Sequence, residues 1–183
     1  MVGDTRNAAA TLNAGGIIAY PTEAVFGLGC DPQNTQALKR LLALKKRPVD
    51  KGLILIAASI DQLQTYIQPF SPEELSQVSS TWPGPVTWVV PVKEGVSDLV
   101  TGKRDTIAVR VTNHPVAAQL CRDFGGAITS TSANQSGQSP ARTVADVQAQ
   151  FGDQLDCIVE GQTGGRGEPT TIRDIKTGAL LRP

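Results

Sequence analysis

With 183 residues, 40% of them hydrophobic and 19% charged, the chain is long enough to bury a core of its own and has the make-up of an ordinary globular protein. Seventeen basic side chains balance seventeen acidic ones, which argues against non-specific nucleic-acid binding by bulk charge and leaves room for a local basic patch that binds an anion. No run approaches the ~18 apolar residues of a membrane span, and the first sixteen residues lack the charged start and apolar run of a signal peptide. A single domain over 1–183 is expected, located in the cytoplasm with no membrane contact. Its three widely spaced cysteines, Cys30, Cys121 and Cys157, fit reduced thiols.

In chain order, residues 5–14 read as a helix closed by Gly15-Gly16, and GIIAY (16–20) as a strand ending at Pro21. PTEAVFGLGCDP (21–32) reads as a strand exit and tight turn, with glycines where backbone approaches something closely. TQALKRLLALK (35–45) places Ala37, Leu38, Leu41, Leu42 and Leu44 near helical spacing, with a basic end that suits the macrodipole. GLILIAA (52–58) is a buried strand. Ser71-Pro72-Glu73-Glu74 is a capping box with proline at the first helical position. WPGPVTWVVPV (82–92) turns into a strand, and TIAVRV (106–111) alternates. Asn113-His114-Pro115 opens a helix that Gly125-Gly126 ends. AITST (127–131) is a strand, and Thr143 caps a helix through Phe151. LDCIVEG, TTIRDI and ALLRP complete the chain, the last two as a hairpin across Lys176-Thr177-Gly178. About seven or eight strands, several with no helix between them, predict an α/β fold with an open, mixed sheet.

The familiar nucleotide motifs are missing. There is no GxxxxGK[ST] loop, and Gly27-Leu28-Gly29 lacks the third glycine and helix of a dinucleotide fingerprint. The single histidine, His114, precedes a proline at a helix start and fits a cap; no GxSxG accompanies it. Three stretches stand out instead. One is the turn at 21–32. The second is the segment from Lys39 to Lys51, with six basic residues and one acid, Asp50. It sets Lys45, a point charge, beside Arg47, a planar fork matched to phosphate or carboxylate oxygens, at a helix-to-strand junction. The third is ITSTSANQSGQSPART (128–143), an apolar strand running into hydroxyls and exposed N–H groups, with no acid before Asp146. From the residues alone these describe an anion cleft of unspecified ligand, with Arg142, Arg166, Arg173 and Arg182 available as further cations.

PTEAVFGLGCDP, LKKRPVDKGLILIA, WPGPVTWVVP, AVRVTNHP and STSANQSG, in that order, resemble the YrdC-like family of threonylcarbamoyl-AMP synthases. The likeness runs from about Gly15 to the end, and Lys-x-Arg-Pro combined with Ser-x-Asn is its specific part. It is nearest the short, single-domain bacterial type; the longer relatives carry a C-terminal domain that this chain, ending at Pro183, is expected to lack. The resemblance implies an open twisted sheet flanked by helices around a large concave basic cavity. It implies a nucleotidyltransferase that makes threonylcarbamoyl-adenylate and pyrophosphate from L-threonine, bicarbonate and ATP, with Mg2+ bridging phosphate oxygens. A partner complex then transfers the group to adenosine 37 of tRNAs reading codons that begin with A. Carried onto this chain, Lys45 and Arg47 are the catalytic cations. Ser132, Asn134, Ser136, Arg142 and Arg182 join them in binding nucleotide. Thr22, Phe26 and Arg110 bind threonine. No residue is assigned to a metal. Phe26, Gly52 and Ile56 stand where many relatives have Tyr, Pro and His. The alternative is a non-catalytic RNA-binding module with direct tRNA contact, against which the neutral charge and the lack of stacking aromatics near the basic segment weigh. A carbamoyl- or acyl-phosphate-binding regulator is a third reading, distinguished by forming no adenylate.

Overall fold

In the computed structural model, which describes residues 1–135, 137–168 and 170–183, ten strands form one mixed sheet. They are β1 (Val2–Gly3), β2 (Ile18–Pro21), β3 (Phe26–Gly29), β4 (Ile54–Ala57), β5 (Val86–Pro91), β6 (Thr106–Val111), β7 (Ile128–Ser132), β8 (Cys157–Val159), β9 (Thr171–Asp174) and β10 (Leu180–Arg182). Across the sheet they run β1-β8-β2-β3-β7-β4-β6-β5-β9-β10. β1 and β2 lie parallel to β8, β4 to β6 and β5 to β9; the other neighbours are antiparallel. The mixed sheet is as expected, but the strands number ten, not seven or eight. The two additions are the two-residue β1 and β3, whose FGLG sequence reads as a turn because two glycines carry no strand preference.

Period-2 alternation sends each strand's side chains to two different cores. Ala19, Phe26, Leu28, Leu55, Ala57, Trp88, Val90, Ile107, Val109 and Val111 share one core with buried residues of four helices. These are α2 (Thr35–Leu44), α3 (Pro72–Ser79), α4 (Asp98–Thr101) and α6 (Val144–Phe151). Leu38 and Leu41 of α2 and Leu55 of β4 are fully buried there, so truncating any one to alanine costs roughly 2–5 kcal/mol. Ile18, Tyr20, Ile56, Ile128, Cys157 and Val159 face the other way, under α1 (Thr5–Asn13) and α5 (Pro115–Phe124). The caps are those the sequence promises. Ser71 and Glu74 close a capping box on α3. His114 is the N-cap of α5, its Nδ1 accepting from Ala117 N and its Nε2 donating to Gln162 O at 3.0 Å.

Two helices are too few to cover the second face. The register aligns Val89, Ala108, Ile54 and Ser130 as one row and pairs Gly27 with Ser132. Along this stretch Ala108, Gly27, Ser130 and Ser132 are small or polar, where the opposite face carries Leu, Val and Trp. The sheet is therefore hollow here, and the hollow holds the site.

Candidate functional site

The hollow holds two adjoining cavities of about 200 and 240 Å³ that share Arg47, Ile54 and Arg182. The first is lined by Thr22, Phe26, Gly27, Arg110 and Ser132 among others, the second by Lys51 and Arg104. Among the described residues neither lining includes a carboxylate.

One wall is built by the end of α2. Lys46 N donates to Ala43 O and Arg47 N to Leu42 O, the paired bonds of a Schellman turn, with Lys46 at the left-handed position, φ 46°. That turn separates the basic residues of the segment. Lys46 is exposed and Arg40 pairs with Asp156 at 3.1 Å, while Lys45 and Arg47 turn inward. Lys45 Nζ donates to Ser132 O at 2.6 Å, Asn134 O at 2.5 Å and Asn134 Oδ1 at 3.0 Å. Arg47 Nε donates to Gly52 O at 2.9 Å. Gly52 has φ 60°, and a Cβ there would stand 3.0 Å from Val100 O. Proline, the residue that the family resemblance leads one to expect here, could not take that conformation.

The loop after β7 forms the adjoining wall. Ser132 Oγ donates to Asn134 Oδ1 at 2.7 Å, and Asn134 Nδ2 donates to Gln135 O and Gln138 O. The two distant segments thus meet through Lys45. Asn134 holds the lysine and the loop but does not itself line either cavity. Ser136 lies outside the described residues.

On the floor, Arg110 is 3% exposed; its Nη1 donates to Thr170 Oγ1 at 2.8 Å, and its Nη2 lies 3.3 Å from Glu23 Oε2. Arg182, on the edge strand β10, donates to Thr170 O at 2.7 Å. Thr22 Oγ1 donates its only hydrogen to Val25 O at 2.7 Å, so it faces the cavity as an acceptor. Phe26 borders this cavity, but its side chain is fully buried and packs with the core of the opposite face.

Burial and the Arg47 charge pull the Lys45 ammonium down to about 8. Arg47 is lowered by burial, against the opposing pull of Asp50; Arg182 is lowered by burial and by the charges of Arg110 and Arg47. Like charges are held close together in a partly dry space, and an incoming anion relieves that strain. Among the described residues no group of three or more His, Cys, Asp or Glu is placed to hold a metal ion. With carboxylates absent from the lining too, these residues do not fit a protein-held metal.

Of the residues named from sequence, Thr22, Phe26, Arg47, Arg110, Ser132 and Arg182 share the first cavity, with Lys45 and Asn134 joined behind its wall. Arg142 stands apart, donating to the main-chain oxygens of Arg166 and Gly167 at 3.1 and 2.9 Å. Ile56, beside Arg110 in the register, packs under α5 and is not among the described residues lining either cavity. The sequence reading passed over Glu23, Thr112, Lys51 and Arg104. Glu23 sits inside the singled-out PTEAVF stretch, where an acid amid apolar residues was the available signal.

Fold and cleft together define a mixed α/β protein with a cleft lined by cations and hydroxyls. The chain belongs to the Sua5/YciO/YrdC family, described as Telomere recombination, which matches residues 10–183. The threonylcarbamoyl-AMP synthase of Photobacterium profundum is 57% identical over 173 residues, 93% of this chain and 94% of its own. That of Halorhodospira halophila is 56% identical over 177 residues, 97% and 93% of the two chains. P. abyssi Sua5 complexed with L-threonine superposes with TM-score 0.91 at 35% identity, over 98% of this chain and 53% of that one. The chain thus spans nearly the whole of these curated relatives and about half the length of that Sua5.

Proposed function

We propose that this protein is a threonylcarbamoyl-AMP synthase. It joins L-threonine, bicarbonate and ATP into threonylcarbamoyl-adenylate and releases pyrophosphate. Lys45, Arg47 and Arg182 carry the reading: three clustered cations bonded to neutral oxygens around a carboxylate-free cleft.

Threonine's amine and CO2 give a carbamate, and a carbamate oxygen attacks the α-phosphorus as the bond to pyrophosphate breaks. That oxygen is already anionic, so no strong base is required, in keeping with a cleft lined by hydroxyls and cations rather than a histidine–carboxylate pair. What the step needs is anions held in line and charge neutralised on the phosphates. Lys45 and Arg47 do this catalytically. Arg182 and the loop of Ser132 and Asn134 hold the nucleotide, a role that extends to Ser136. Arg142 contributes by tying down the segment of Arg166 and Gly167. Thr22 accepts from the threonine amine and Arg110 takes its carboxylate, with Phe26 backing this end of the pocket from the core beneath it. Mg2+ enters as part of the ATP substrate.

The cytoplasm is the setting, with three buried free thiols. The product passes to a partner complex that modifies adenosine 37 of tRNAs reading codons that begin with A. The test is mass spectrometry of a reaction with ATP, Mg2+, threonine and bicarbonate. Threonylcarbamoyl-adenylate and threonine-dependent pyrophosphate are expected; their absence, with tRNA affinity that falls steeply with salt, would make this an RNA-binding module.

A further inference from the structure

Among the described residues, Glu23 is the one carboxylate paired with a cleft cation, and it is 5% exposed. Its Oε1 accepts from Thr112 Oγ1 at 2.6 Å. Its main-chain oxygen accepts from Arg166 N at 3.2 Å, and Gly164 packs so close that a Cβ there would lie 2.8 Å from that oxygen. Glu23 Oε2 stands 3.3 Å from Arg110 Nη2, an ion pair off the line of a hydrogen bond, and among the described residues Oε2 has no hydrogen-bond partner. Arg110 Nη1 is bound by Thr170 and, at 3.4 Å, by Thr87, while its Nε, buried, has no partner among the described residues.

A buried ion pair is a poor way to stabilise a core, since apolar residues of like volume do as well or better. A buried N–H without a partner is a further cost. Both make sense if the guanidinium is held for a ligand. Its donors lie in one rigid plane, so anchoring Nη1 and Nη2 also fixes where Nε–H points. Pairing with Glu23 cancels the charge of Arg110 and leaves a directed donor. Lys45, Arg47 and Arg182 keep their charge and attract polyphosphate.

We propose that Glu23 is a positioning residue: locked by Thr112, it orients Arg110 so that Nε–H meets the carboxylate of the amino-acid substrate. It thereby sorts that carboxylate from the phosphates drawn to the other cations. The inference rests on the reading of this cleft as a threonine site.

The test varies threonine at saturating ATP in Glu23→Gln, which keeps the shape and loses the charge. The KM for threonine is expected to rise about tenfold or more, with kcat and the KM for ATP within about twofold. Thr112→Val should shift the same constant in the same direction, and Thr112→Ser should restore it. In 15N-labelled protein, the slowly exchanging Arg110 Nε–H resonance should move when threonine is added to wild type and be broadened or lost in Glu23→Gln. An unchanged threonine KM in folded Glu23→Gln and Thr112→Val, an unaltered Nε–H resonance, or equal losses for both substrates alongside lowered melting would overturn the proposal. If wild type makes no threonylcarbamoyl-adenylate, the functional reading falls, and the resonance alone still decides whether Glu23 orients Arg110.

Discussion

Two walls of one cleft hold their cations differently. On the α2 side, Lys45 is bonded to Ser132 O, Asn134 O and Asn134 Oδ1, and Arg47 to Gly52 O. Across the floor, Arg110 faces the carboxylate of Glu23. A carbonyl dipole orients a cation without cancelling it; a carboxylate does both. The first wall therefore keeps net positive charge over a space free of acids, and the second keeps only direction. A reaction that joins several anions needs both: charge where the phosphates gather, and a fixed donor where a smaller anion must sit in one pose.

Breaking the charged wall should have the largest effect. Lys45→Ala and Arg47→Ala should each lower kcat/KM for ATP by about 10²–10³-fold, the usual loss when one preorganised partner of a charged transition state is removed. Circular dichroism should show the fold intact, since neither side chain belongs to the apolar cores. Initial rates of pyrophosphate release measure this, and wild-type rates in both variants would refute the assignment of charge to this wall.

Acidity sharpens the contrast by a smaller step. With its ammonium near 8 in the folded protein, Lys45 loses its proton as pH rises through that value, and the affinity of this wall for anions goes with it. kcat/KM for ATP should therefore fall above about pH 8, approaching tenfold per unit, because this parameter reports the free enzyme. Lys45→Arg should remove that limb. Stability runs the opposite way. A lysine depressed in the folded state but near 10.4 when unfolded destabilises most below pH 8, and that cost is relieved between pH 8 and 10.4. Melting temperature against pH, compared between wild type and Lys45→Arg, isolates this lysine's part.

Much of this contrast could be read from the residues, and the remainder has identifiable causes. TIAVRV announces β6 because strict alternation puts Ile107, Val109 and Val111 in one core and Arg110 opposite, and the structure keeps Thr106–Val111. LKKRPVDKG draws notice because Lys and Arg crowd a helix end. What the string cannot give is which of its cations turn inward. That depends on a left-handed Lys46, a position where glycine is the familiar signal. β3 is hidden for the converse reason: two glycines suggest a turn, yet pairing with Ile18–Pro21 and with β7 holds FGLG extended. The pairing of Glu23 with Arg110 joins residues 87 apart in sequence and depends on register across the sheet.

Lys46 supplies the smallest and most discriminating test. Its φ of 46° costs a side chain roughly 1–2 kcal/mol relative to glycine. Glycine in turn loses roughly 0.5–1 kcal/mol of backbone freedom on folding. Lys46→Gly should therefore stabilise by up to about 1 kcal/mol, a rise of about 2–4 °C in melting temperature for a chain of this length. Activity should stay at the wild-type level, because the Lys46 side chain is exposed and lines neither cavity. Lys46→Val, β-branched at a left-handed position, should melt lower and lose activity together, since the turn it distorts aims Lys45 and Arg47. A tenfold loss of activity in Lys46→Gly without loss of stability would mean that the charge of Lys46 also reaches the substrate and that the turn does not divide the cations as described.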